Sequence, residues 1–173
     1  LWEPGVVLAA RFCSELVDGE EAAGSLHGVN VLELGTGLGF VGLHLACLGA
    51  RVTLTDLPAA EASVQRSLAA NAAAVANAGG AATFEVLDWA DAGSKVIAVD
   101  DFDLLVAADP VFDATTTRLF VGCLAWLLTS ASKRGRSRAA ARVAHKHRPG
   151  VCCEEGLWGV RRARAPGGRR RRW

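Results

Sequence analysis

Residues 29–42, VNVLELGTGLGFVG, decide the fold. Residues 29–34 form a short apolar run with a single acid, Glu33, and read as a buried strand. Gly35, Gly37 and Gly39 follow at once, and residues 40–48 then carry a helical pattern that Gly49 stops. Glycine is needed where a backbone turns with positive φ, or where a ligand lies against it with no Cβ between them. A strand that turns on glycines into a helix is the opening unit of a parallel α/β sheet.

Working toward the C-terminus, the same alternation repeats. Residues 51–55 (RVTLT) read as a second strand ending at Asp56, and Pro58 opens a helix striped by Val64, Leu68 and Val75 that ends near Gly79. Residues 83–87 read as a third strand ending at Asp88 and Trp89, and residues 102–108 (FDLLVAA) as a fourth ending at Asp109. Residues 114–128 read as a helix, and residues 139–145 as a fifth strand. Toward the N-terminus, Pro4 can open a helix over residues 4–16, with Val7, Leu8, Phe12 and Leu16 at helical spacing, and residues 18–28 form a polar loop. Apolar strands alternating with helices predict an α/β protein with a doubly wound, mostly parallel sheet covered on both faces.

Four acids, Glu33, Asp56, Asp88 and Asp109, fall at or near the C-terminal ends of consecutive strands. That edge is where ligands bind in open α/β sheets. Two cofactors compete for the glycine turn. Gly37, Gly39 and Gly42 match the GxGxxG of nicotinamide dinucleotides, but that start leaves Gly35 unexplained, and starting at Gly35 puts Phe40 where the third glycine belongs. Glu33 is also out of place beside a pyrophosphate, whereas carboxylates suit the sulfonium and ammonium of S-adenosylmethionine. Asp56 is placed to accept from both ribose hydroxyls, or else to cap the helix before which it stands. Asp88 and Trp89 offer an acceptor for an adenine amino group and an aromatic edge, or else a strand-end turn with a core tryptophan.

Composition sets the outer bounds. The chain has 173 residues, enough for one domain with a core, and 51% of them are apolar. Its longest apolar run falls far short of the ~20 residues of a membrane helix, so a soluble protein without membrane contact is expected. It begins at Leu1 rather than Met and has no signal stretch, which suggests that N-terminal sequence is missing. Cys13, Cys47, Cys123, Cys152 and Cys153 are odd in number, three of them in apolar helical stretches, so reduced cytoplasmic cysteines are expected, with the nucleus as the alternative compartment. Cys152 and Cys153 follow His145 and His147, but adjacent cysteines lack zinc-site spacing, and no metal is expected. Charge is split sharply. Residues 1–132 hold sixteen acids and five bases, and residues 133–173 hold fourteen bases and two acids. Arginines without interleaved aromatics are a weak nucleic-acid signal, so a solvated tail is expected, with RNA or DNA binding only through it.

Taken together, LWEPG, VLELGTGLGFVGL, VTLTDLP, LDW and AADPVF, in this order and spacing, resemble the class I (seven-β-strand) S-adenosylmethionine-dependent methyltransferases. They are most similar to the family 16 protein-lysine methyltransferases, over roughly residues 1–130. The resemblance implies a Rossmann-like methyltransferase fold and cofactor contacts from Trp2, Gly35, Thr36, Gly37, Asp56, Trp89 and Ala108, to which the residues themselves add Glu33 and Asp88. It places Asp109 and Phe112 of Asp109-Pro110-Val111-Phe112 beside the methyl group and the substrate amine, as the catalytic pair. Many relatives have Tyr where Phe112 stands, so any role for a hydroxyl is lost. Pro110 also gives the motif a likeness to enzymes that methylate adenine or amide nitrogen, but Val111 replaces their second proline.

The implied activity is methyl transfer to a protein side-chain amine, a lysine, by a monomer. The expected division is a methyltransferase domain over residues 1–147, incomplete at both ends, and a basic disordered tail over residues 148–173. The family's fold closes with two strands after the fifth, and residues 148–173 show no sustained period of two or 3.6, so those last two are expected to be lacking. This suggests an altered or truncated reading frame, and with it a second expectation, a catalytically defective paralogue serving as a binding module. A nicotinamide-dependent oxidoreductase ranks third.

Overall fold

A computed structural model describes residues 5–10, 26–91, 102–133, 140–144 and 158–160. Helix α1 covers residues 5–10. It is followed by β1 (Asn30–Leu34), α2 (Phe40–Ala46), β2 (Arg51–Asp56), a 3-10 turn (Pro58–Ala60), α3 (Glu61–Asn77), β3 (Ala81–Val86), a second 3-10 turn (Trp89–Asp91), β4 (Leu104–Ala108), α4 (Ala114–Lys133), β5 (Ala140–Ala144) and β6 (Trp158–Val160). The strands form one sheet in the order β3-β2-β1-β4-β5-β6. All neighbours are parallel except β6, which runs antiparallel to β5.

The strand order reverses between β1 and β4, so the crevice of a doubly wound sheet opens at the C-terminal ends of those two strands. The central strands β1 and β4 read as near-continuous apolar runs because both their faces are covered, whereas β3 alternates exposed and half-buried positions. Side chains alternate across the sheet. Val31, Leu104 and Val106 join Leu8, Val41, Leu45, Val64 and Val75 in one core. Leu32, Leu34, Leu105 and Ala107 join Phe120, Cys123 and Leu127 of α4 in the other. Helices α1, α2 and α3 therefore cover one face and α4 the opposite one. Burying each of the fully enclosed leucines Leu34, Leu54 and Leu105 contributes roughly 1.5–3 kcal/mol. Glu33 stands on the α2 side of β1, two residues from Val31, and this parity governs its role below.

The α/β doubly wound, mostly parallel fold expected from the sequence is the one observed, with differences at element ends. Strand β3 starts at Ala81, two residues before its apolar run, because Arg51 and Val52 of β2 pair with Ala81 and Ala82 despite their poor strand propensity. Strand β4 starts two residues late. Phe102 is buried ahead of it, and Asp103 ties the strand's entry to β1, its N–H donating to the Asn30 carbonyl and its carboxylate accepting from the Asn30 N–H at 3.0 Å. Helix α4 continues past residue 128 to Lys133, since residues 129–133 contain no glycine or proline to stop it. Residues 148–173 are not wholly without structure, as the sequence suggested. Trp158, Gly159 and Val160 pair with Val143, Arg142 and Ala141, one short strand beyond the fifth. Three residues are too few to display a period of two, so pairing with an existing edge, not local pattern, defines this strand.

A close approach of helix to sheet defines Gly42. A Cβ there would run into Leu54, lie 2.5 Å from the Glu33 carboxylate and 3.0 Å from Val52. We expect Gly42→Ala to lower stability by about 1–2 kcal/mol, because overpacking costs roughly 1–3 kcal/mol and the helix-propensity gain of alanine returns at most ~1 kcal/mol. Urea unfolding checks this, and an unchanged or raised midpoint would show that α2 shifts freely from β1.

Candidate functional site

The turn after β1 is built from three left-handed glycines, with φ of 68° at Gly35, 59° at Gly37 and 82° at Gly39. The Thr36 N–H donates to the Thr55 carbonyl of β2 at 3.0 Å and the Gly39 N–H to the Thr36 carbonyl at 2.9 Å, which folds the turn back over the sheet edge. At Gly37 a Cβ would meet nothing within 4 Å, so the backbone there faces open space. The Gly37 N–H donates to Asp56 Oδ2 at 2.8 Å across nineteen residues of sequence. The glycine turn and the acid that ends β2 are thus one unit. The second oxygen of that carboxylate, Oδ1, accepts from the Leu57 N–H at 2.7 Å.

Glu33 lies beneath this turn. It is 2% exposed, and its Oε2 accepts from Thr36 Oγ1 at 2.6 Å and from the Gly42 N–H at 3.0 Å. The Thr55 hydroxyl donates to the Glu33 carbonyl at 2.5 Å. Burial pushes the Glu33 carboxyl up from about 4.5 to about 7, with the Asp56 charge acting in the same direction and the bonds from Thr36 and Gly42 acting against it. In the unfolded chain the group ionises near its ordinary value, so between pH 4.5 and 7 the folded chain holds the extra proton. Its contribution to stability is full below pH 4.5 and is lost as pH rises to about 7, a change on the order of 3 kcal/mol. Urea unfolding at pH 5, 6, 7 and 8 should show this decline in the wild type and its loss in Glu33→Gln. Parallel declines in both proteins would assign the slope to other groups.

Trp89 leans on the turn from the far side. A Cβ on Gly35 would lie 3.2 Å from Trp89 Cζ2 and 3.9 Å from Pro110 Cβ, so Gly35, the indole and the residue after Asp109 converge at the crevice. The indole meets Phe120 of α4 edge-on, with centroids 5.3 Å apart at 64°, and packs against the second core. Asp88, by contrast, turns its carboxylate back on its own chain, Oδ1 accepting from the Ala90 N–H at 2.9 Å, and starts the 3-10 turn that presents Trp89.

Asp109 follows β4 with φ of 52°, the one non-glycine residue with positive φ among the described residues. Such a conformation costs a side-chain-bearing residue on the order of 1–2 kcal/mol and gathers at functional sites, although Asp and Asn tolerate it best. Its neighbour Ala108 is half-buried near the first residue of α1, where a Cβ on Gly5 would lie 4.0 Å from the Ala108 Cβ. Helix α4 is capped not by Asp109 but by Asp113, whose Oδ1 accepts from the Thr116 N–H at 2.7 Å and whose carboxyl that bond holds below the usual range. Phe112 is 72% exposed on the rim, so its ring is available to a partner and contributes little to the core. Trp2 lies outside the described residues.

The structure therefore gathers Glu33, Gly35, Thr36, Gly37, Asp56, Trp89, Ala108 and Asp109 along one edge of the sheet, the ends of β1, β2, β3 and β4. Carboxylates flank a turn whose backbone is open at Gly37. Two contributors were not singled out in the sequence, the Thr55 hydroxyl and the Asp113 cap. Asp113 does carry a signal, an acid directly before Ala-Thr-Thr-Thr at a helix start. Among the described residues there is no cluster of three or more His, Cys, Asp and Glu side chains arranged to hold a metal. None of their helices is long and apolar enough to cross a membrane.

A parallel doubly wound sheet, a glycine turn bonded to the acid of the next strand and a strained acid across the crevice define a nucleotide-type cofactor site of the α/β class. Residues 1–149 match the model of the lysine methyltransferase family, and the chain belongs to that family. It is 33% identical over 124 residues to EEF1A lysine methyltransferase 3 of Mus musculus, covering 72% of this chain and 48% of the mouse protein. It is 31% identical to EEF1A lysine methyltransferase 3 of Xenopus tropicalis, covering 73% of this chain and 51% of the frog protein. The chain thus spans about half the length of these curated relatives. Among solved structures it shares its fold with the glycopeptide N-methyltransferase MtfA complexed with S-adenosylmethionine, at 20% identity and a TM-score of 0.54, over 83% of this chain and 55% of that one.

Proposed function

We propose that the chain is the cofactor-binding part of an S-adenosylmethionine-dependent N-methyltransferase whose acceptor is a lysine side chain of a protein. The observation that carries this reading is the Gly37 N–H donating to Asp56 Oδ2, which joins the open glycine backbone to an acid on one rim. The residues fit the cofactor. A carboxylate offers about four acceptor positions, and Asp56 has one used by Gly37 and one by Leu57, which leaves capacity for a ribose diol. The bared backbone at Gly37 admits close approach, and Trp89 offers an aromatic edge beside Gly35 for a flat base. A cationic ligand is favoured by the carboxylates of the rim.

When bound, S-adenosylmethionine supplies a methyl group already activated by a positive sulfur, so the protein's work is positioning. In this reading Asp109 orients the attacking amine and disperses the charge that develops on nitrogen, held at the crevice by its left-handed backbone. Phe112, on the rim, packs against the aliphatic stem of the acceptor. A lysine must lose its proton before it attacks, and an acidic rim draws the ammonium in without itself removing that proton. Cys47 and Cys123 as free thiols fit a reducing compartment, and we place the protein in the cytoplasm or nucleus.

The curated relatives' name makes EEF1A the first acceptor to test. Incubation of the chain with S-adenosylmethionine carrying a labelled methyl group and purified EEF1A should yield label on lysine, located by mass spectrometry. Label on no lysine of EEF1A or of a wider protein panel, from a chain that binds cofactor, would reject methyl transfer to protein by this chain.

A further inference from the structure

We propose that Glu33 is a positioning residue that shapes the glycine turn from beneath and does not itself contact the cofactor. The inference rests on the cofactor reading above and departs from the direct role that its place in the motif suggests. Its geometry carries it. The side chain lies on the α2 face of β1, 2% exposed, and one oxygen holds both ends of the turn, the Thr36 hydroxyl at 2.6 Å and the Gly42 N–H at 3.0 Å. Between those two anchors the chain passes through Gly37, whose N–H goes the other way, to Asp56. Glu33 and Asp56 thus grip the same turn from opposite sides, the first from within the protein and the second from the rim. Gly42 lets α2 descend far enough for this bond, since any Cβ there would lie against the carboxylate.

The acceptor oxygen, rather than the charge, performs this task. A glutamine at position 33 presents the same oxygen to the same two donors, whereas alanine presents none and leaves a buried hydroxyl and a buried N–H without their partner. A direct ion pair to the ammonium of the cofactor makes the opposite demand, because glutamine then fails as badly as alanine.

Two probes separate these roles: S-adenosylhomocysteine, which carries the amino-acid portion, and methylthioadenosine, which lacks it. At pH 8 we expect Glu33→Gln to bind both within about threefold of the wild type, and Glu33→Ala to lose tenfold or more for both by a similar factor. The amide resonance of Gly37, which reports the bond to Asp56, should move in Glu33→Ala and stay in place in Glu33→Gln. Loss of S-adenosylhomocysteine affinity in both variants with methylthioadenosine unaffected would overturn the proposal in favour of a direct contact, and wild-type binding by Glu33→Ala would overturn it by showing that the turn does not need this side chain. If Glu33→Ala does not fold, Glu33→Gln decides alone: retained affinity for both probes supports the positioning role, and selective loss of S-adenosylhomocysteine overturns it. A folded wild type that binds neither probe overturns the cofactor reading itself, an outcome distinct from failure of the variants only.

Discussion

Asp56→Ala should weaken S-adenosylhomocysteine binding by about 100-fold or more while leaving the fold intact. Two contributions add in the same direction. A carboxylate bonded to ligand hydroxyls contributes roughly 1.5–3 kcal/mol per bond, and each 1.4 kcal/mol is about tenfold in affinity. The same carboxylate also holds the Gly37 N–H at 2.8 Å, so its removal frees the turn that the ligand must meet. Asp56 is partly exposed at the strand end, outside the buried core, so little stability is at stake. Calorimetric titration of the variant, with circular dichroism as a control for folding, checks the expectation. Unchanged affinity in a folded variant would remove Asp56 from the site.

The second large effect is expected at Asp109. Asp109→Asn should lower the turnover of methyl transfer by about 100-fold while changing cofactor affinity by less than about threefold, since on the proposed function the charge it removes serves the attacking amine and not the cofactor. Asparagine is the informative substitution because Asp109 has φ of 52°, which Asn tolerates and alanine does not. Asp109→Ala would add on the order of 1–2 kcal/mol of backbone strain and confuse a catalytic loss with a structural one. Comparing kcat with cofactor affinity in Asp109→Asn separates the two roles. Equal losses in both would make Asp109 a cofactor-binding residue, and no loss in either would leave it a turn residue.

Much of this architecture was legible in the sequence because it is local and periodic. Residues 29–42 announce strand, glycine turn and helix by apolar pattern and glycine spacing, and β1 and α2 fall there within one or two residues. The acids at strand ends were legible for the same reason, since a strand end is marked by the change in pattern. What could not be read was how side chains pair across the sheet. Glu33 and Asp56 are both acids at strand ends, yet one is buried and serves its own turn while the other stands at the rim. Only the parity of β1, with Glu33 on the α2 face and Leu34 on the α4 face, distinguishes them. Likewise Asp88 and Asp109 look alike in sequence, but Asp88 closes on Ala90 and Asp109 adopts a left-handed backbone. The start of β3 at Ala81 and the short β6 arise from pairing with neighbouring strands, to which local propensity is blind.

On the proposed function, the rim shared by the glycine turn and Asp56 receives an adenosyl group attached to an amino-acid chain, not a pyrophosphate. Calorimetric titration of the folded 173-residue chain with S-adenosylhomocysteine and, separately, with NADH tests it most directly. One site for S-adenosylhomocysteine and no measurable heat with NADH are expected. Saturable binding of NADH by a chain that ignores S-adenosylhomocysteine would contradict it.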